Sequence, residues 1–408
     1  MIPVNNKNEN QHPPLPILPG STVGILGGGQ LGRMMILDGR KMGYKFVTLD
    51  PAEDCPAGQV SDIQIVSEYS SIQAAEQLAR RSQVITYEFE NVDAKMTQFL
   101  QERSYVPQGS ELLHTTQHRL REKVAIEKAG VQVAPYFPVG TEQELHDGVD
   151  KLGLPCVLKT CTGGYDGKGQ WLLKTTQDVA AAWSEIQTSG AVQPAVDSSD
   201  STANDSPTEP GFILEKFVPF ERELSVIVAR NPSGEIKTFP TAENIHKNHI
   251  LHLSIVPARV SKEVSERARS LAESIAASLE LAGVMGVEMF LMENGELFVN
   301  ELAPRPHNSG HYTLDACVTS QFEQHIRGIC NLPLGSTELL SPVVMVNILG
   351  QDVAPVLAQL HTFPDTVKLH LYDKSEARVN RKMGHINVMA KDTDEALHQI
   401  AQFGIWDV

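Results

Sequence analysis

An Asn-Gly dipeptide between runs of alternating large apolar residues is the strongest short-range hairpin signal a chain can carry. Here it stands at Asn294-Gly295, in the stretch from Glu288 to Glu301. If Asn294 and Gly295 are the two central residues of a type I′ turn, Glu293 faces Glu296, Met292 faces Leu297, Phe290 faces Val299 and Glu288 faces Glu301. Side chains alternate faces along a strand. One face is therefore apolar until two carboxylates meet, about 4.5–5.5 Å apart at Cβ. Such a pair raises the pKa of each member or recruits a cation. With Asn300 beside it, the pair suits Mg²⁺, which takes one or two carboxylates plus phosphate oxygens and water. A solvated hairpin end is the plain alternative. The adjoining segment argues against it: Leu302 to His311 carries Arg305, His307, Asn308 and His311, a cationic, amide-rich and imidazole-rich run built for anions.

The 408 residues suffice for two or three domains. Lys+Arg minus Asp+Glu is 34 − 50 = −16, which disfavours nucleic acid or an acidic membrane as a general partner. Any phosphate site must then be local, made of placed basic residues and backbone amides. The five scattered cysteines read as reduced thiols of a cytoplasmic protein. No apolar run approaches a membrane span, and the N-terminus has no signal-peptide core.

Residues 1–20, ending in a proline-rich run, read as a flexible leader. From Thr22 a short strand, a glycine turn, a helix to about Gly43 and a second strand ending at Asp50 make one βαβ unit. Gly27, Gly29 and Gly32 satisfy GxGxxG, with Asp50 near the place of a ribose-binding acid. The dinucleotide reading competes with a simpler one, since any tight strand-to-helix turn wants glycines. Further strands at 62–66 and 83–89 complete a small doubly wound domain. Tyr87 to Asn91 lies at a carboxyl end, where ligands of open α/β sheets bind.

Residues 111–130 read as one charged helix carrying Arg119 and Lys123, closed by Gly130. A second domain opens near Val131. Its strand 154–159 ends in Lys159, and the loop 162–170 has four glycines in seven residues with Lys168 among them. Backbone N–H groups of such a loop can wrap phosphates; it is not a Walker loop, because the spacing fails. Residues 188–211 read as a disordered low-complexity insertion. Strands succeed it at 212–218 and 224–229, His246 to His249 sits between strands, and 261–281 is an amphipathic helix. After about Ser336 a separate small domain is expected, with strands at 343–348, 367–372 and 386–390. Lys374, Arg378, Arg381, Lys382 and His385 fall within 12 residues there, as a solubilising loop or as a wall closing on a phosphorylated substrate.

Six motifs, read together, resemble the ATP-grasp enzymes, and among them the 5-(carboxyamino)imidazole ribonucleotide synthase family of purine biosynthesis. They are 27–33 (GGGQLGR), 87–91, 163–170 (GGYDGKGQ), 215–223, 300–311 (NELAPRPHNSGH) and 381–385 (RKMGH). The resemblance covers the chain from about residue 21 onward, and the leader and the 188–211 insertion depart from it without touching a motif. It implies an α/β and α+β chain: an N-terminal doubly wound, Rossmann-like preATP-grasp domain at 21–115, a central ATP-grasp domain at 116–335 and a small β-rich C-terminal domain at 336–408. It implies ATP at Arg119, Lys123, Lys159, Gly164, Tyr165, Asp166, Gly167, Lys168, Gly169, Gln170, Glu215, Lys216, Phe217, Val218, Glu223, His246, Asn300 and Glu301. Mg²⁺, with Mn²⁺ as the alternative ion, falls to Glu288, Glu301 and Asn300. The first glycine turn then serves a ribonucleotide and not NAD.

The reaction so implied joins bicarbonate to 5-aminoimidazole ribonucleotide at the expense of ATP, through carboxyphosphate. Arg305, His307, Asn308 and Asp166 are its expected catalytic groups; Gln30, Leu31, Glu88, Lys374, Arg381 and Lys382 are the expected substrate contacts. A homodimer, and hand-over to a separate mutase, are further implications. A formate-dependent ligase acting on glycinamide ribonucleotide, a biotin-dependent carboxylase subunit, an NAD oxidoreductase and a non-catalytic ATP-binding regulator are the alternatives.

Overall fold

The structure is a computed structural model that describes residues 15–163, 168–189 and 209–407. Gly164, Tyr165, Asp166 and Gly167, most of the low-complexity insertion, and residues 1–14 lie outside the described residues. Residues 15–20 of the expected leader are tied down. Ile17 N–H donates to Cys330 O at 2.9 Å, and Tyr44 O–H donates to Ile17 O at 2.5 Å.

The first sheet joins β1 (Thr22–Leu26), β2 (Lys45–Asp50), β3 (Ile63–Val66) and β4 (Val84–Tyr87), all parallel, in the order β3-β2-β1-β4. Strands β1, β2 and β4 are buried, which is why Val23, Ile25, Phe46, Val47, Val84 and Ile85 read as near-continuous apolar runs. The chain reverses direction across the sheet between β1 and β4. The glycine turn after β1 and Glu88 after β4 therefore share one crevice.

The second sheet is antiparallel: β5 (Tyr136–Val139), β6 (Cys156–Thr160), β7 (Gln170–Leu173) and β8 (Phe212–Lys216), in the order β5-β8-β6-β7. Helices Glu142–Leu152 and Thr176–Ser189 cover it through Leu145, Val179 and Ile186. The second helix runs past residue 188, where the insertion was expected to begin.

The third sheet holds β9 (Arg222–Arg230), β10 (Ile236–Thr238), β11 (Ala242–Lys247), β12 (Ile250–Val256), β13 (Gly283–Leu291), β14 (Leu297–Ala303), β15 (Val343–Leu349), β16 (Val367–Leu371) and β17 (Lys382–Met389). The C-terminal strands are not a separate sheet: β15 pairs with β12, so the order β14-β13-β9-β11-β12-β15-β17-β16 is continuous. Helix Lys262–Ser278, capped by Ser261, buries Ala268, Ala272 and Ile275 against Val226, Val228, Met285 and Val287. Helix Gln321–Ile329 ties the central domain to the first, packing Phe322 and Ile326 with Met35 and Phe46.

Several local expectations need correction. Residues 111–130 form two helices, Gly109–Thr116 and Arg119–Lys128, because His118 adopts extended backbone between them. Gly130 does end the second, at φ +76°, with Val131 N–H on Ile126 O and Gly130 N–H on Glu127 O. His246 and Lys247 lie within β11, and only Asn248 and His249 turn, both at positive φ. Lys382 to His385 belong to β17 and not to a loop.

The organising hairpin differs by one residue at its tip. Asn294 is not in the left-handed region; Gly295 alone is, at φ +81°. Gly295 N–H closes a turn on Met292 O at 2.8 Å, and Met292 N–H reaches Glu296 O at 2.9 Å. This is a three-residue loop whose glycine supplies the positive φ. The pairs are consequently Leu291 with Leu297, Phe290 with Phe298 and Met289 with Val299. A bulge next to Glu288 then absorbs Asn300 and restores the opposition of Glu288 and Glu301.

A Cβ on Gly328 would stand 2.7 Å from Gly283 Cα and 2.9 Å from Gly283 N, so helix Gln321–Ile329 sits on β13 only without a side chain there. Gly328→Ala is expected to cost about 1–3 kcal/mol of stability through overpacking. Urea unfolding reads it, and an unchanged midpoint would show that the helix shifts freely.

Candidate active site

The core-facing residues of the hairpin, Val287, Met289 and Leu291, pack in the interior. Alternation turns Glu288 and Phe290 to the other side. Gly286 permits His307 to lie close against β13, since a Cβ there would meet His307 Cβ at 2.7 Å. His307 Nε2 stands 3.2 Å from Glu288 Oε1. Its tautomer is fixed from behind: Ser225 Oγ donates to Ser309 Oγ at 2.7 Å, and Ser309 Oγ lies 2.9 Å from His307 Nδ1. With Nδ1 accepting, Nε2 carries the proton toward Glu288.

The carboxylate pair does not behave as its spacing suggested. Burial opposes ionisation of Glu288, but His307, then His246 and Lys382, outweigh it and hold the group at about 2. Glu301, half-exposed, meets Arg119 Nη1 at 3.4 Å. Asn300 Oδ1 is buried without a hydrogen-bond partner, an acceptor for which the fold supplies nothing. Among the described residues no three His, Cys, Asp or Glu side chains gather as a metal cluster. Two carboxylates and an orphaned amide oxygen nevertheless fit an ion such as Mg²⁺, whose other ligands are phosphate oxygens and water.

A buried charge cluster flanks this pair. Lys159 Nζ reaches Glu215 Oε2 at 2.7 Å and Lys123 Nζ reaches Glu215 Oε1 at 3.5 Å. Burial works against the Glu215 charge, yet Lys123, Lys159 and Arg119 hold it at about 2. Burial lowers Lys159, and Glu215 offsets part of that. Lys123 also donates to Asn300 O at 3.0 Å, which anchors the bulge. Glu122, which no motif marked, accepts Leu302 N–H at 2.8 Å; burial, with Glu301 nearby, pushes it up to about 8.

Of the glycine loop, Gly163 and Gly169 have positive φ, Lys168 is exposed, and Gln170 opens β7. The main-chain N–H groups of Lys216 and Phe217 are donated to Pro135 O and Pro155 O. Any base recognition at these two residues therefore rests on their carbonyls and side chains. Val218 is partly buried, and Phe220 stacks on Phe290 with centroids 4.6 Å apart. Glu223 Oε2 lies 2.7 Å from His246 Nδ1. Burial lowers His246, but Glu223 and Glu288 raise it above its ordinary value.

On the other side of the loop, Arg305 Nη2 pairs with Glu90 Oε1 at 2.6 Å, and Asn308 exchanges amide hydrogen bonds with Asn347. Glu88 receives the N–H of Gly29, and that of Gly32 at 2.6 Å. Burial raises it, against those two donors. Asp50 accepts from Gly28 N–H, Tyr69 O–H and Ala52 N–H, which ties it to its own domain where the dinucleotide alternative required a ribose ligand. Gln30 is partly buried, but the Leu31 side chain belongs to the core, leaving only its main chain for a ligand. Lys374 Nζ donates to Lys382 O at 2.8 Å; burial, then Arg381, lowers it to about 8, while Glu88 opposes that shift. Arg381 is partly buried and donates to Glu376 O at 2.9 Å. The first glycine turn and the C-terminal basic segment thus share one electrostatic neighbourhood.

The ribonucleotide synthetase preATP-grasp domain matches residues 21–117, the ATP-grasp domain 124–322, and the phosphoribosylaminoimidazole carboxylase C-terminal domain 343–399. Together with the two antiparallel sheets flanking the charge cluster, they define an ATP-grasp enzyme, an ATP-dependent carbon–nitrogen ligase. An N5-carboxyaminoimidazole ribonucleotide synthase of Bacillus subtilis is 51% identical over 386 residues, 94% of this chain and 95% of the relative. A crystal structure of an ADP complex of such a synthetase matches with a TM-score of 0.88 at 52% identity, covering 96% of this chain and 98% of that one. An Aspergillus clavatus synthase solved with ADP and 5-aminoimidazole ribonucleotide gives 0.82 at 32%, covering 94% and 97%. The chain belongs to the N5-carboxyaminoimidazole ribonucleotide synthase family. That membership sets aside the oxidoreductase, formate-ligase, biotin-carboxylase and regulator alternatives.

Removing one partner from a buried ion cluster leaves the others uncompensated. Glu215→Gln is expected to cost about 3–5 kcal/mol at pH 7. A depressed carboxylate contributes stability above its ordinary pKa and loses it as pH falls through the folded value. The wild-type advantage should therefore shrink between 4.5 and about 2. Urea unfolding of both proteins across that range checks it; a constant difference would deny the coupling.

Proposed function

We propose that this chain carboxylates 5-aminoimidazole ribonucleotide with bicarbonate and ATP, giving the N5-carboxylated ribonucleotide, ADP and phosphate. One observation carries the assignment of roles: a single loop places His307 on Glu288 and Arg305 on Glu90, two residues from Glu88, so it joins the carboxylate pair to the first glycine turn. Lys123, Lys159, Arg119, Lys168, Gly169 and Gln170, with Gly164 to Gly167, neutralise the ATP phosphates. Glu215 to Val218, Glu223 and His246 take the nucleoside.

Glu288, Glu301 and Asn300 would hold Mg²⁺ or Mn²⁺, which when bound shields the phosphate charge. Bicarbonate is a poor electrophile. Its oxygen attacks the γ-phosphorus, the bond to ADP breaks, and the carboxyphosphate so formed yields CO₂ and phosphate beside the amine. The amine captures CO₂ and loses a proton. Positioning and charge neutralisation dominate such transfers. Arg305 matches a planar oxyanion with its guanidinium fork; His307 and Asn308 orient the same group. Gln30, Leu31, Glu88, Asp166, Lys374, Arg381 and Lys382 hold the ribonucleotide.

The domain limits proposed are 21–115, 116–335 and 336–408. The five buried thiols and the net charge of −16 suit a reducing cytoplasm; among the described residues no helix is long and apolar enough to cross a membrane. A homodimer and hand-over of product to a mutase rest on family resemblance alone.

ADP release with Mg-ATP should require both bicarbonate and the ribonucleotide, and formate should not replace bicarbonate. Turnover with formate would reassign the acid. Glu288→Gln and Glu301→Gln should each lose about 100-fold or more in Mg-dependent turnover with the fold kept; wild-type rates in either would refute the metal assignment. Arg305→Ala should retain ATP binding and lose bicarbonate saturation. If that saturation is unchanged, the anion role is wrong.

A further inference from the structure

The helix Gly109–Thr116 begins at Gln108 and ends at Gln117, and each glutamine points its amide at the Arg305 neighbourhood. Gln117 Nε2 donates to Glu90 O at 2.6 Å and to Val92 O at 2.7 Å. Gln108 Nε2 donates to Pro304 O at 3.1 Å, the carbonyl immediately before Arg305. Glu90 is the ion-pair partner of Arg305. One helix thus holds the backbone of both members of the pair.

Gln108 is itself held by a chain whose polarity is determined. Val284 N–H donates to His325 Nδ1 at 3.2 Å, so the ring proton is on Nε2. His325 Nε2 lies 2.8 Å from Thr86 Oγ1, which must then donate onward to Gln108 Oε1 at 2.6 Å. Thr86 and His325 are wholly buried and Gln108 nearly so. Burial keeps the imidazole neutral, pushing its pKa down to about 3. Gly283 lets the ring lie close against β13, since a Cβ there would stand 2.8 Å from it. The chain therefore runs one way, from β13 through the first domain to Pro304 O.

We propose that Gln108 and Gln117 are positioning residues for the acid-activation step, setting Arg305 and its counter-ion Glu90 in register with the crevice of the first domain. The inference rests on the reading of Arg305 as the bicarbonate residue. The test is steady-state kinetics of Gln108→Met, Gln117→Met, Thr86→Val and Thr86→Ser. Each is measured alone, and the two glutamine variants also in an Arg305→Ala background.

The glutamine variants and Thr86→Val should raise the bicarbonate KM by about five- to tenfold, the scale of one lost buried hydrogen bond, with the ATP KM unchanged. Thr86→Ser keeps the hydroxyl and should behave as wild type. In the Arg305→Ala background, where bicarbonate no longer saturates, the glutamine substitutions should leave kcat/KM for bicarbonate unchanged, as expected for groups acting through one another. Equal rises in both KM values, or the same fold-effect persisting without Arg305, would overturn the proposal. If Arg305→Ala itself leaves bicarbonate saturation unchanged, the underlying reading fails and this one with it. Should Gln108→Met not fold, Gln117→Met carries the test, since that side chain is only partly buried.

Discussion

The opposition of Glu288 and Glu301 across β13 and β14 is the constraint on which the site depends. Like charges directly opposite on a sheet are unfavourable, and the fold nevertheless imposes them through a bulge that inserts Asn300. Lys123 grips Asn300 O, Arg119 meets Glu301 and His307 meets Glu288, so the arrangement is held from three directions. Asn300, the bulged residue itself, carries a buried amide oxygen without a partner. Its lack of a partner is costly for a buried acceptor, a cost that the proposed ion would offset.

A chain of net charge −16 has to build its anion sites locally. Three of the proposed cations are paired with internal carboxylates: Lys159 with Glu215, Arg305 with Glu90, Arg119 with Glu301. Phosphate or bicarbonate oxygens would compete with carboxylates for the same donors. The carboxylates thereby aim the cations. Lys374, like Lys159, is lowered by burial, and with Arg381 beside it falls to about 8; a phosphate dianion would raise it again.

Much of this was legible in the sequence. The strand, glycine turn and helix at 22–41, the hairpin between 283 and 303, and the basic run beyond Glu301 all follow from periodicity and turn chemistry. The tip of the hairpin was not. Asn-Gly serves a type I′ turn or the end of a three-residue loop, and Leu297, Phe298 and Val299 are apolar on both faces, so alternation gives no sign of the one-residue slip. The break at His118 was hidden because both flanking segments are helix-forming. Glu122, Glu90, Gln108 and Gln117 were missed as site residues because their partners lie far along the chain; only Glu90, inside the motif 87–91, carried a local hint.

Transfer of oxygen tests the account most directly. The purified protein would turn over Mg-ATP and 5-aminoimidazole ribonucleotide with ¹⁸O-labelled bicarbonate, and the released phosphate would be examined for label. Attack of bicarbonate on the γ-phosphorus predicts that each phosphate formed carries one bicarbonate oxygen. Phosphate without label, formed at the rate of carboxylation, would contradict activation of bicarbonate by phosphorylation at this site.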